Sequence, residues 1–285
     1  MKIKASIIII ISEQDIAGQN MKKYLIEKLL PVSNQLIPTE IYYNEQLHKL
    51  YPAGSICILE IPNSQIQLDY LRDNLESDVL IFASKHSSQT GKKTLLVHTT
   101  GLWGKNTGHG GNDHELAFAP AKLLRWGYDI IKKLTQERNL HEYWYGIECT
   151  HHGPTSFPIP IIFVETGGSE EEWMDLEACK LIADVIIALC DKFRDNNQNP
   201  AFIGVGGGHY CPRFIDIINK TDYLIGHIIP KYAHEYLNEK MLIQAVEKTI
   251  ANEKFVLIDK KGTKSDVRKQ VIAICEKNNF KWELC

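Results

Sequence analysis

Five consecutive isoleucines, Ile7 to Ile11, constrain this chain more than any other stretch. β-Branched side chains lose rotamers in a helix and pack well on a pleated surface, so the run reads as a strand. It is apolar at every position rather than every second one, which demands cover on both faces. An interior strand of an α/β sheet provides that cover. The run is too short to span a membrane and carries no leader-cleavage pattern, so a soluble protein is expected.

Similar runs recur at 3–11, 39–43, 56–61, 78–83, 94–99, 143–149, 159–165, 201–205, 222–229 and 255–258. Between them, apolar residues recur at helical spacing over Ile16 to Leu30, closed by Pro31, and over 115–138, 172–193, 234–251 and 265–278. The alternation predicts a single three-layer α/β domain over residues 1–285. Its sheet is mixed and mostly parallel, with helices on both faces. The polar stretch Arg194 to Asn199 reads as a helix-to-strand loop, too short to separate domains.

A formal charge of −3 argues against a protein that coats nucleic acid by bulk electrostatics. The charge is unevenly spread, however. Residues 254–285 hold eight basic and four acidic side chains, a local +4 on a body of −7. Such a segment suits either a grip on a phosphate backbone or a solvated helix face. The seven cysteines form no CxxC pair and read as reduced thiols of a cytoplasmic protein.

In open α/β sheets ligands bind at the carboxyl ends of strands. The histidine-bearing, glycine-rich segments fall there: His98 to Gly104, Gly108 to Glu115, Thr150-His151-His152-Gly153-Pro154-Thr155, Gly206 to Tyr210, and Gly226-His227 leading to Lys231. Glu165-Thr166-Gly167-Gly168 closes another run. Gly204 to His209 fails the dinucleotide fingerprint, and Gly91-Lys92-Lys93-Thr94 lacks the P-loop spacing. His114-Glu115 has no second zincin histidine, and no Gly-x-Ser-x-Gly elbow exists.

Histidine titrates nearest neutrality, so the pair His151 and His152 points to proton transfer or metal binding. In an extended chain adjacent side chains face opposite ways, which disfavours both rings on one ion. His109 and His114, with Asp113 and Glu115 nearby, form an expected ligand pair, with His152 a further expected ligand. Glu148 is placed to fix an imidazole tautomer, and Cys149 reads as core or, less favoured, as a nucleophile. Glu165 ends an apolar strand, where packing alone does not require a carboxylate. Gly206, Gly207 and Gly208 form either an anion nest or a tight turn.

These segments resemble the archaeal and plant-type D-aminoacyl-tRNA deacylases across almost the whole chain and in order. His98 to Gly104, Glu148 to Thr155, Glu165, Gly206 to Tyr210 and Gly226 to Lys231 carry the likeness. The resemblance implies a phosphorylase/hydrolase-like fold, zinc dependence, and hydrolysis of the ester joining a D-amino acid to the tRNA 3′ end. This would serve translation quality control. On that basis His151 or His152, oriented by Glu148, is expected to activate water, with Thr99 or Thr100 and the glycine amides stabilising the oxyanion. His98, Glu165, His209, Tyr210, His227, Lys231 and Trp103 are expected to bind substrate, Trp103 or Tyr210 by stacking on the terminal adenine. Basic residues of 254–281 would meet the acceptor stem of a monomeric enzyme's substrate. The alternatives are a zinc-dependent amidohydrolase or peptidase using the same His/Glu cluster, and a non-catalytic tRNA-binding module.

Overall fold

The five isoleucines lie in an interior strand and are fully or almost fully buried, with odd and even positions feeding different cores. Each such side chain contributes roughly 1.5–3 kcal/mol of burial. The computed structural model describes residues 2–30, 38–88, 90–195 and 198–285. Its strands are β1 (Ile3–Lys4), β2 (Ile7–Ser12), β3 (Thr39–Tyr43), β4 (Gln46–Ala53), β5 (Ile56–Ile61), β6 (Leu75–Glu76), β7 (Val79–Ser87) and β8 (Thr94–His98). There follow β9 (Gly101–Leu102), β10 (Glu115–Leu116), β11 (Trp144–Ile147), β12 (Ile161–Gly168), β13 (Ala201–Val205), β14 (Leu224–Ile229), β15 (Lys254–Ile258) and β16 (Lys281–Leu284). The helices are α1 (Ile16–Leu29), α2 (Ala121–Glu137), α3 (Glu170–Trp173), α4 (Leu176–Lys192), α5 (Pro212–Ile218), α6 (Glu239–Glu247) and α7 (Ser265–Lys277).

The fold is α/β with a mixed, mostly parallel arrangement, but the strands divide between two principal sheets rather than one. Eight strands run in the order β11-β8-β12-β7-β2-β5-β4-β3, and four parallel strands in the order β14-β13-β15-β16. Helices α1, α2 and α4 cover one face of the larger sheet, where they meet Ile7, Ile9 and Ile11. Its other face is covered by the 3-10 segment Gln65–Leu71 and by Phe157 and Ile159 against Ile8 and Ile10, not by α-helices. The smaller sheet has helices on both faces: Phe214 and Ile218 of α5 on one, α6 and α7 on the other. Helix α2 packs on both sheets, and one apolar cluster runs continuously from Ile7 to Leu257.

Several expected boundaries move for identifiable reasons. The helix expected from 115 begins at Ala121, because Glu115 and Leu116 pair with β9 and Pro120 caps the helix. The pattern at 172–193 breaks at Asp175, whose carboxylate accepts from the amides of Glu177 and Ala178 and restarts the helix as α4. Strand β4 contains Pro52, which argues against a strand; it is tolerated because β3 pairs only with residues 46–50. Helix α1 ends at Leu29, and its expected stop at Pro31 lies outside the described residues, as do Asn196 and Asn197 of the expected loop. No helix among the described residues is long and apolar enough to cross a membrane.

The two sheets are joined by the chain leaving β11. The Glu148 amide donates to Val97 in the larger sheet (3.1 Å), the Cys149 amide to His209 (2.9 Å) and the Thr150 amide to Ile228 in the smaller sheet (3.0 Å). The Thr150 hydroxyl accepts from the Ile228 amide and bonds His227 Nδ1, each at 3.1 Å. Thr150→Val keeps the shape but leaves two buried polar groups without partners, so a loss of about 2–4 kcal/mol is expected. Urea denaturation measures it; an unchanged midpoint would show that the hydroxyl does not hold the sheets together.

Candidate functional site

The carboxyl ends of strands from both sheets meet at this suture. His86 comes from the end of β7, His98 from β8, Glu148 follows β11, and His209 follows β13. Glu165 stands within β12, paired with Ser84 and Leu96 on either side. The double histidine sits between them, tied to β9 by amide bonds from Gly101 to His151 and His152. At His152 φ is +42°, a left-handed conformation that a non-glycine residue adopts only when its surroundings impose it.

Those surroundings are specific. A Cβ on Gly110 (φ +68°) would stand 1.8 Å from the Ile66 carbonyl oxygen, and one on Gly153 would stand 2.3 Å from the Gly111 amide nitrogen. Only bare backbone allows this crossing. Asp69 then holds Thr155 and Ser156 through their amides, and Glu115 accepts from the Thr155 hydroxyl at 2.9 Å.

The left-handed turn overrides the extended-chain argument against two ligands from adjacent histidines. His98, His151 and His152 each offer a ring nitrogen, all within 4.8 Å of one another. Each Nδ1 is committed to a backbone carbonyl: His98 to Thr99 (3.1 Å), His151 to Cys149 (2.8 Å), His152 to Gly153 (2.7 Å). A carbonyl only accepts, so Nδ1 carries a proton in each, and in the neutral rings of His151 and His152 Nε2 keeps its lone pair. Burial, then the neighbouring imidazoles, push His151 well down, and burial with His98 takes His152 down to about 3. His151 and His152 stand as acceptors beside the His98 ring, whose Nε2 faces two buried carboxylates. That is a donor set for a cation.

Behind them lies a pair of buried carboxylates. His86 Nδ1 is 3.5 Å from Glu148 and 3.4 Å from Glu165, and His98 Nε2 is 3.9 and 3.6 Å from the same two. Glu148 also meets His209 Nε2 at 2.8 Å, an ion-pair contact. Burial disfavours the anion of Glu165, but His86 and His98 outweigh it and hold the carboxyl well below its usual range. Burial likewise opposes the His209 cation, yet Cys149 and Glu148 push it up to about 10. His86 is raised against its burial by Glu165 and Glu148. The site thus holds neutral imidazoles beside protonated ones, with pKa values driven apart by their neighbours.

His151, His152, Glu165 and His209 open on a cleft of about 440 Å³ that also takes in Asp15, Gln65, Ser84 and His86. Other expected site residues lie elsewhere or are otherwise engaged. Glu148 does not orient His151 or His152, whose rings are fixed by carbonyls; it serves His209. Thr99 and Thr100 spend their hydroxyls on Ile161 and Pro154 carbonyls. Trp103 is buried, donating from Nε1 to Thr150, and so offers no exposed face for a base. His227 is wholly buried with both nitrogens bonded, to Thr150 and Ala117. The amides of Gly206 and Gly207 donate to Ile229 and Gly262, leaving those two unavailable to an anion, and Lys231 is exposed outside this cleft. His109 and His114 do not share a ligand group among the described residues; His114 Nδ1 bonds the Trp103 carbonyl at 2.8 Å, and the glycines beside them serve the backbone crossing. Tyr210 bonds His86 Nε2 at 3.1 Å and meets Trp144 edge-on.

His86 was missed because the strand was expected to end at 83; it shares a face with Phe82 and Ser84, which continued alternation reveals. Asp15 escaped as an apparent loop residue, but it caps α1 through Gly18 and clamps the Lys85 amide, each at 2.8 Å. Desolvation raises it to about 6.

A family model described as D-aminoacyl-tRNA deacylase matches residues 73–283. A protein of Thermococcus onnurineus named D-aminoacyl-tRNA deacylase is 31% identical over 275 residues, covering 94% of this chain and 96% of its own. One of the same name from Methanosarcina mazei is 34% identical over 278 residues, covering 96% and 90%. A crystal structure of a conserved protein of unknown function superposes with a TM-score of 0.84 at 29% identity, covering 100% of this chain and 96% of that one.

Because the folded pKa of His209 is raised, its stabilising contribution is present below its ordinary value of 6.5 and is lost as pH rises through about 10. In the metal-free protein, Glu148→Gln should bring its titration, followed by NMR, down toward 6.5. A His209 still titrating near 10 would assign the shift to Cys149 instead.

Proposed function

The chain belongs to the D-aminoacyl-tRNA deacylase family, and on that premise we propose that the double-histidine cleft is where it hydrolyses the ester of D-aminoacyl-tRNA to free D-amino acid and tRNA. The observation that carries this reading is the division of labour among the imidazoles. His151 and His152 have lowered pKa values and are neutral at physiological pH, while His209 is held as a cation by Glu148. A neutral ring at the cleft wall accepts the proton of an attacking water. The His209 cation, one-third exposed on the same cleft, puts positive charge beside the oxygen that gains electrons as the ester bond breaks. Glu165 and Glu148 keep His86, His98 and His209 in place behind the reacting groups.

Zinc fits His98, His151 and His152. Nε2 of His98 is buried without a hydrogen-bond partner, and three imidazoles are a common catalytic zinc set. Bound there, the ion would take up the Nε2 lone pairs and would supply Lewis-acid polarisation of the ester carbonyl and acidification of water in place of the imidazole base. This replaces the ligand set of His109, His114 and His152. The exposed lysines Lys260, Lys261 and Lys264 suit acceptor-stem phosphates, and charged tRNA as substrate supports a cytoplasmic location.

Matched D- and L-aminoacyl-tRNA, offered to metal-stripped and zinc-restored protein, test the reading. Faster release from the D-ester is expected, restored by zinc, and His152→Ala should cost about 10²–10⁴-fold. Near wild-type deacylation by a folded His152→Ala protein would remove the cleft from the mechanism. Reversing Lys260, Lys261 and Lys264 should raise KM for aminoacyl-tRNA but not for aminoacyl-adenosine; equal effects on both would count against the basic surface.

A further inference from the structure

His151 and His152 line two separate clefts, not one. On the far side from the carboxylates lies a second cavity of about 360 Å³, formed by the turn Gly101–Lys105 and by the 3-10 segment Lys231–Tyr236. The two cavities share only the double histidine. We propose that this wall divides the bound substrate, with the terminal adenosine in the second cleft and the aminoacyl group in the first. The proposal rests on the deacylase reading and adds to it which side takes which half.

The chemistry of the two linings differs in the required sense. The first cleft is polar and of mixed charge, with Asp15, Glu165, Ser12, Ser84 and Gln65 beside Lys85, His86 and His209, and its carboxylates retain oxygen lone pairs for the ammonium of an aminoacyl ester. The second presents aromatic surface. Tyr232 is 60% exposed and Tyr236 37%, so neither ring is consumed by the core. The Tyr236 ring lies along the bare backbone of Gly104, where a Cβ would meet it at 2.7 Å. Exposed aromatic faces stack on nucleobases whatever their sequence.

Charge continues in the same direction. Lys105 lines the second cleft, Lys231 begins the segment that carries both tyrosines, and His234 on that segment feels the positive charge of Lys231 and of Lys264 from the basic C-terminal region. A polynucleotide leaving this cleft meets lysines, whereas in the first cleft the cationic groups stand beside the carboxylates Asp15 and Glu165. Tyr232 also bonds His209 Nδ1 at 3.0 Å, so the nucleoside side and the charged imidazole are in direct contact. With the ester carbon and the ammonium each assigned a place, the α-carbon has two directions left, one for hydrogen and one for the side chain, and D- and L-esters exchange them.

AMP, which reproduces the terminal nucleotide, is the probe. It should quench intrinsic fluorescence on binding wild-type protein and compete with D-tyrosyl-tRNA. In Tyr236→Ala its affinity should fall by about tenfold or more, and KM for D-tyrosyl-tRNA should rise by a similar factor relative to KM for D-tyrosine methyl ester, which has no nucleoside. Wild-type protein that neither binds AMP nor is inhibited by it overturns the division, as does a Tyr236→Ala effect equal on both esters. Active protein insensitive to AMP sinks the division and leaves the deacylase reading standing. Protein inert on D-tyrosyl-tRNA sinks the deacylase reading, and AMP quenching, measured without substrate, still decides the second cleft.

Discussion

Everything chemical in this molecule depends on a stretch of backbone that belongs to neither sheet. From Glu148 to Thr150 the amides donate in turn to the larger sheet, to the His209 carbonyl and to β14. That alternation brings His98 and Glu165, from one sheet, within reach of His209, from the other. A shift of one residue would turn Glu148 away from His209 and carry the double histidine off the turn that aims both rings inward. Buried amides without partners are costly, so the register is fixed by the same bonds that join the sheets.

The buried ionic groups make sense only as a set. Two carboxylates a few ångströms apart in a low-dielectric interior repel and would ordinarily retain a proton between them. Here His86 stands between Glu148 and Glu165, and His209 adds a second cation against Glu148. The balance is local: cations on the carboxylate side, neutral rings on the opposite side. A third proton placed on His151 or His152 would face the other imidazoles with only distant anions to offset it, which is why these rings remain bases. Such an arrangement stabilises the fold little, since desolvating each charge opposes its pairing. Its value lies in holding protonation states apart.

Much of the fold was legible in periodicity, because strands buried on both faces and amphipathic helices leave different patterns. Ile7 to Ile11, Ala201 to Val205 and 265–278 needed nothing else. The second sheet was not legible: β13 to β15 read like further members of the first, only tertiary packing through α2 separates them, and β16 was not expected as a strand. Of the site, the strand-end histidines were visible as residues but not as partners. Glu148 reads as a neighbour of His151 along the chain, yet in space it serves His209, sixty-one positions away. Gly110 reads as part of a segment offering metal ligands and Gly153 as part of a strand-end segment; their role is to let two backbones cross. Single-chain patterns report a residue's own burial and conformation, whereas metal groups and ion pairs are properties of contacts between distant segments.

The crossing at Gly110 and Gly153 explains how the double histidine can be both strained and rigid. Thr155 and Ser156 are pinned by Asp69, Gly153 donates to His109, and Gly101 donates to both histidine carbonyls. The turn is therefore held by three groups, of which Asp69 lies outside both clefts it separates. Lining atoms on either side can change without releasing it, because none of these bonds is made by a cleft-lining side chain except Gly101 and His109 through their backbones. On the proposed reading, a wall so braced would position an ester carbonyl from both sides at once. A left-handed histidine costs of order 1–3 kcal/mol, and here the bracing bonds offset it in exchange for two rings converging on one point.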